Sequence, residues 1–301
     1  MDLGLFQNVE QNRRRSVWLI LLSIVVTVSL GGVIGAASTG TPWAGIGIAG
    51  VIATVLALFA WNQGSSFVLS SAGAKEIGKE EDAVLVNVVE EVAIAAGLPR
   101  PRIYLIDDPG MNAFATGISP DQASVAVTRG LRDALSRDEL QGVMAHEMAH
   151  VGNYDTRVMI LLSVLVGTVA IMSDMFLRGR MYRARGKNQG AMMVVAIVFA
   201  ILAPFASMLL QFAVSRKREY LADATAATMT RNPDALADAL EKLGGRGKLE
   251  GANRGTQHLF IVNPFRTRQE LSSAFATHPP LRERVRRLRA LAGRYAARSS
   301  K

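Results

Sequence analysis

The chain has 301 residues, half of them hydrophobic, a formal net charge of +9 and no cysteine. The missing cysteine excludes disulfides and thiolate metal sites, so any transition metal must be held by histidine or carboxylate. The basic excess comes without a nucleic-acid recognition motif, and no nucleic-acid partner is expected.

The hydrophobic residues are unevenly spread: Ser16 to Ala74 contains no Asp, Glu, Lys or Arg, which is the composition of chain that enters a bilayer. Val17 to Ala37 supplies about twenty apolar or small residues, enough at about 1.5 Å each to cross a hydrocarbon core of roughly 30 Å. Ser38-Thr39-Gly40-Thr41-Pro42 breaks the run. Trp43 to Trp61 then forms a second span with an indole at each end, where interfacial tryptophans are favoured. Residues 1–61 therefore read as a transmembrane hairpin. Arg13, Arg14 and Arg15 with Gly35-Ala36-Ala37 also fit a cleaved signal peptide, but the first run is too long for an h-region and the second follows too closely. By the positive-inside rule the N-terminus faces the cytoplasm, and the chain returns there near Asn62.

Residues 62–156 read as the first part of a second domain, whose role the motif at its end indicates. Glu80 to Ala96 carries Val84, Val88, Val89 and Val92 at helical spacing, closed by Gly97 and Pro99. Arg102 to Ile106 and Ala123 to Thr128 read as strands, with Asn112 to Thr116 as a third between Pro109-Gly110 and Ser119-Pro120. They predict a small sheet whose outer edge either pairs with an extended peptide or only completes a core. Ser136 and Glu139 then form a capping box ahead of Leu140, Val143, Met144 and Ala145. The helix they start contains His146-Glu147-Met148-Ala149-His150. In an H-E-x-x-H run the two imidazoles lie one turn apart on one face and can share a metal ion, while the glutamate reaches water without binding the metal. The motif points to a zinc hydrolase.

Two more apolar runs follow, Val158 to Phe176 and Ala191 to Val214. Residues 157–215 are expected to form a second hydrophobic hairpin that spans the membrane. The loop between the runs carries Arg178, Arg180, Arg183, Arg185 and Lys187, which the charge rule places on the cytoplasmic side, so a shallow hairpin is the competing arrangement. Residues 216–301 supply the second part of the catalytic domain. Arg218 to Thr230 is helical up to Asn232-Pro233, and Asp234 to Leu243 is helical up to Gly244-Gly245. Gly244 to Thr256 is a Gly-rich, charged loop, either idle or a lid. Arg282 to Arg298, with Leu281, Val285, Leu288 and Ala292 at helical spacing, reads as a basic amphipathic helix suited to anionic headgroups.

A catalytic zinc needs a third protein ligand and one open position. The candidates are Glu219, His258 and His278. Glu219 and Asp223 lie four apart on one helical face, so one can bind metal while the other orients a ligating imidazole. By spacing alone they are almost as well explained as partners of Arg216 and Lys217.

Met111-Asn112-Ala113-Phe114-Ala115, the run from His146 to Thr156, Ser215 to Asp223 and Thr277-His278-Pro279-Pro280 together resemble the HtpX family of membrane zinc peptidases, related to the CAAX prenyl endopeptidases. The order of these segments matches as well, across almost the whole chain. The resemblance implies a mainly α membrane protein whose catalytic unit is an α+β zincin-like (gluzincin) domain with a small β-sheet. It implies one zinc ion per chain on His146, His150 and Glu219, Glu147 as the catalytic base and Asp223 as a supporting acid. It further implies that His278 donates to the transition state and that Asn112 contacts substrate; His258 is read as structural. The implied activity is endoproteolysis of misfolded or misassembled membrane proteins at the cytoplasmic face of the plasma membrane, a quality-control and stress-response task. The partners are then polypeptides and the bilayer; the sequence sets no oligomeric state. A zinc-stabilised scaffold or holdase, and site-specific processing of prenylated proteins, are the alternatives.

Overall fold

The structure, a computed structural model, describes residues 3–163, 216–244, 261 and 279–299. Two long apolar helices come first, α1 (Leu3–Thr39) and α2 (Trp43–Ser71). Val9–Ala36 and Trp43–Ser71 are each long and apolar enough to cross a membrane. They expose Val17, Trp18 and Val25 on α1 and Ile48, Val51 and Val55 on α2, flanks suited to lipid rather than to a protein core. The helices touch backbone to backbone: a Cβ placed on Gly45 would stand 2.0 Å from the carbonyl oxygen of Gly31, so only glycine permits this approach. The helix of the second span continues ten residues beyond its expected end at Trp61, and the first starts well before Val17.

That extension carries α2 to the sheet. Val68 and Leu69, near its C-terminal end, pack with Ile106, Phe114 and Ala126 on one sheet face. Ala74–Glu76 then forms β1, a strand too short to stand out in the sequence. The other strands are β2 (Arg102–Ile106), β3 (Ala113–Thr116) and β4 (Ser124–Thr128), in the order β1-β2-β4-β3. β2 and β4 run parallel, and β1 and β3 are antiparallel to their neighbours.

The opposite sheet face is covered by helices. α3 (Ala83–Ala96) starts at Asp82, whose side chain accepts the Leu85 amide, and stops at Gly97. Its buried stripe is Leu85, Val88, Val89 and Val92; Val84, expected on that stripe, is 42 % exposed. The Asp82 cap starts the helix three residues later than Glu80, but it is the packing against α5 that chooses Leu85 over Val84.

A short α4 (Arg129–Ala134) follows β4. α5 (Arg137–Gly152) begins with the expected capping box, both of its reciprocal bonds present at Ser136 and Glu139. Leu140, Val143, Met144 and Met148 of α5 are fully enclosed, so the motif helix is the central rod of the core. Residues 155–163 are helical again.

α6 (Arg216–Thr230) and α7 (Pro233–Leu243, capped by Asn232) pack on α5. Gly142 meets the backbone of Leu236 at 3.0 Å from where its Cβ would be, the close approach that seats α7. α8 (Leu281–Ser299) closes the group. Its apolar stripe packs inward: Leu288 is fully buried, and Leu281, Val285 and Leu291 pack on the same core. Arg282, Arg286, Arg287 and Arg294 remain exposed on the opposite side of α8.

Candidate active site

Two turns of α5 and two of α6 face each other and supply the donors. His146 and His150 come from α5, with Nε2 atoms 3.2 Å apart. Glu219 enters from the first turn of α6, its Oε1 3.5 Å from His150 Nε2 and its Oε2 3.8 Å from His146 Nε2. One donor atom from each residue lies within 4.8 Å of the others. Ligands bound to a tetrahedral zinc at 2.0–2.1 Å stand about 3.3 Å from each other. Two imidazole lone pairs converging at that spacing, with a carboxylate beside them, form a set that suits a divalent cation, and borderline-soft zinc in particular.

Each imidazole is fixed through its other nitrogen. His146 Nδ1 lies 3.0 Å from Asp223 Oδ1, one turn along α6 from Glu219. His150 Nδ1 lies 3.0 Å from Asp155 Oδ2, just past the end of α5. A proton on Nδ1 in each case leaves Nε2 as the acceptor, so both rings present a lone pair to the same point. Glu219 and Asp223 are 2 % and 4 % exposed: they turn inward rather than to Arg216 and Lys217.

A further cation lies inside. Arg284 of α8 is completely enclosed and donates to both Asp223 oxygens, at 2.9 Å from Nε and 2.7 Å from a terminal nitrogen. Its other terminal nitrogen is 3.6 Å from Glu219 Oε2. Sequence reasoning missed it among the many arginines of this segment. One signal was available: Arg284 falls on the same helical face as Leu281, Leu288 and Leu291, where an exposed arginine does not belong.

These contacts set the protonation preferences of the protein groups at the site. Burial, then the charge of Arg284, lowers the His146 imidazole to about 4. Burial alone would also lower His150, but the bond to Asp155 and the charge of Glu219 outweigh it and push the ring up to about 9. Burial would raise Asp223, and the charge of Arg284 with the bond to His146 overrides it, leaving about 2. Glu147, 3 % exposed, is pushed up to about 7 by burial, helped by Glu219 and opposed by His150. A carboxyl poised near neutrality suits a group that must take and return a proton.

β3 borders this site with its outer edge. The Ala115 backbone bonds to the Glu147 carboxylate, and the Ala113 carbonyl accepts the Ile261 amide at 3.0 Å. The edge expected to receive a peptide is thus next to the motif, with two of its groups already engaged. Asn112 is fully buried at the start of β3; its backbone is bonded to Thr128, and its side-chain oxygen accepts the Ala113 amide. His278 and His258 lie outside the described residues, as do the segment 164–215, with most of the second apolar pair, and the loop 245–256.

The profile of Peptidase family M48 matches residues 79–292. The chain belongs to peptidase family M48. A protease HtpX homolog of Dictyoglomus thermophilum is 41 % identical over 295 residues, 96 % of either chain. One from Dictyoglomus turgidum is 45 % identical over 254 residues, 83 % of either chain. One from Listeria monocytogenes is 39 % identical over 300 residues, 94 % of this chain and 99 % of its own. The crystal structure of Ste24p from S. mikatae shares the fold, with a TM-score of 0.52 and 22 % identity over 79 % of this chain and 57 % of that one. This M48 chain is a membrane metalloprotease of the HtpX kind, as the sequence resemblance implied, and His146, His150 and Glu219 form its possible metal site.

Proposed function

We propose that the protein is a zinc-dependent endopeptidase of the plasma membrane that cleaves misfolded or misassembled membrane proteins at the cytoplasmic face. The reading is carried by one observation: two imidazole nitrogens and a carboxylate converge at zinc spacing with the raised carboxyl of Glu147 beside them. The position of that site next to an apolar hairpin supports substrates that are themselves membrane-bound. Residues 1–61 serve as the transmembrane hairpin and 157–215 as a second one, dividing a catalytic unit made of 62–156 and 216–301.

His146, His150 and Glu219 would hold the zinc ion, which when bound would supply Lewis acidity and acidify water towards a pKa of about 7. Glu147 accepts the proton from the attacking water and returns it to the departing amine. Asp223 and Asp155 keep the two imidazoles in the tautomer that presents Nε2. Arg284 balances the carboxylates Asp223 and Glu219 in a space that water does not reach. His278 is assigned as the donor to the developing oxyanion and Asn112 as a residue that contacts substrate.

Full-length protein in detergent, incubated with unfolded casein with and without a chelator, tests the activity. Chelator-sensitive fragments from wild type, and at least about a hundredfold slower cleavage by Glu147→Gln with zinc retained, are expected. Intact casein with wild type would point to the scaffold or holdase reading. Cleavage of a prenylated peptide but not of casein would point to site-specific processing.

A further inference from the structure

The Asp155 carboxylate that fixes His150 is held in turn by the membrane anchor. Asn12 of α1 is 3 % exposed, and its side-chain amide donates to Asp155 Oδ1 at 2.9 Å and to the backbone carbonyl of Asn153 at 2.8 Å. The second bond satisfies a carbonyl left over at the end of the motif helix. The first completes a chain of contacts from the lipid-facing helix to a ligand ring: Asn12, Asp155, His150. Asp155 Oδ1 also accepts from Arg218 at 3.2 Å, so one oxygen takes two donors while Oδ2 remains for the imidazole.

The neighbouring residues lock this junction. Tyr154 has φ of 59°, a left-handed conformation that bulky residues adopt only under constraint, and it folds the chain so that Asp155 comes back onto His150. Arg13 of α1 and Arg157 both lie against its ring, 4.8 and 4.7 Å from the ring centre, and Arg13 also donates to its hydroxyl at 2.9 Å. Arg157 in turn stacks on Trp61 of α2 at 5.2 Å. Both helices of the hairpin therefore grip the turn that carries Asp155.

We infer that Asn12 is a positioning residue for the metal site: it holds Asp155 against His150, so that docking of the anchor helix and affinity for the metal are coupled. The inference rests on the assignment of His150 as a metal ligand. A carboxylate deprived of one donor is freer to rotate, and an imidazole without a fixed partner samples orientations that do not bind; partners of ligating residues typically contribute 10–100-fold to affinity. Asn12 acts one residue further out, so the lower end of that range is expected. The anchor then has a second task beyond tethering: a hairpin pulled out of register in the bilayer weakens the hold on the metal.

Zinc dissociation constants measured by chelator competition on the full-length protein in detergent test this, with melting of the metal-free form as a check on folding. Asn12→Leu should bind zinc about tenfold more weakly. Asn12→Ser, too short to reach Asp155, should do the same if the leucine variant does not fold. In an Asp155→Ala background the Asn12 substitution should change affinity by less than about twofold, because the coupling runs through that carboxylate. Ser16→Ala removes a buried contact of the same helix, the bond from Ser16 to the Asn12 carbonyl at 2.8 Å, and should leave zinc affinity unchanged. Wild-type affinity in the Asn12 variants, an equal loss without Asp155, or an equal loss in Ser16→Ala overturns the inference. Glu219→Ala separates it from the assignment beneath: zinc held tightly by that variant would overturn the ligand set itself, whatever Asn12 does.

Discussion

The two imidazoles of the motif sit one turn apart, yet their supports come from opposite ends of the chain. His146 leans on Asp223, which is tied to the enclosed guanidinium of Arg284 near the C-terminus. His150 leans on Asp155, which is tied to a neutral amide from the N-terminal anchor and to Arg218. The first ring is driven down to about 4 and the second up to about 9. Similar geometry thus gives opposite protonation: burial and then the charge of Arg284 lower His146, whereas the bond to Asp155 and the charge of Glu219 outweigh burial at His150. The site is fastened at two independent places, one in the core and one at the membrane.

The largest break in this comparison is expected on the core side. Arg284→Ala leaves the carboxylate of Asp223 buried without its cation, and losing one partner of such a pair costs about 3–5 kcal/mol. Denaturant unfolding of the purified variant measures it, and cleavage should be lost as well. On the membrane side, Asp155→Ala should leave folding closer to wild type but weaken zinc by about 10–100-fold, read by chelator competition.

Glu147 sharpens the contrast through pH. Its carboxyl is raised in the folded metal-free protein, so between the ordinary carboxyl range near 4.5 and about 7 the folded state holds more protons than the unfolded one. Stability therefore falls as pH rises through that window. Removing the charge reverses this: metal-free Glu147→Gln should be more stable than wild type at pH 8, by an amount on the order of 1–3 kcal/mol, with the difference vanishing below about pH 4.5. Paired thermal melts at the two pH values check it. The smallest effect belongs to Arg218→Met, which removes a single partly shielded contact to Asp155; zinc affinity should fall by only about two- to threefold, within the range of a weak charged pair.

What could be read in advance follows the range of each interaction. The capping box and the two histidines are fixed by spacing within one helix, and Ser136, Glu139, His146 and His150 are found as that spacing requires. Glu219 needed the family resemblance, because its approach to α5 depends on helix packing that its own neighbours do not encode. Val84 and Leu85 differ by one position, and only contact with α5 decides which is buried. Arg284 was hidden by its arginine-rich surroundings, although it sits in the apolar stripe of α8. Asn12 had no local signal at all: its partners lie 141 and 143 residues away, and beside three arginines at the start of a membrane span it looks like an interfacial residue.

The proposed function stands on three side chains from two distant helices sharing one catalytic zinc. Zinc content and casein cleavage measured together on wild type and Glu219→Ala, both full length and confirmed folded, test it most directly. Wild type is expected to hold about one zinc per chain and to cleave in a chelator-sensitive way, with both lost in the variant. A Glu219→Ala protein that keeps its zinc and still cuts would contradict it.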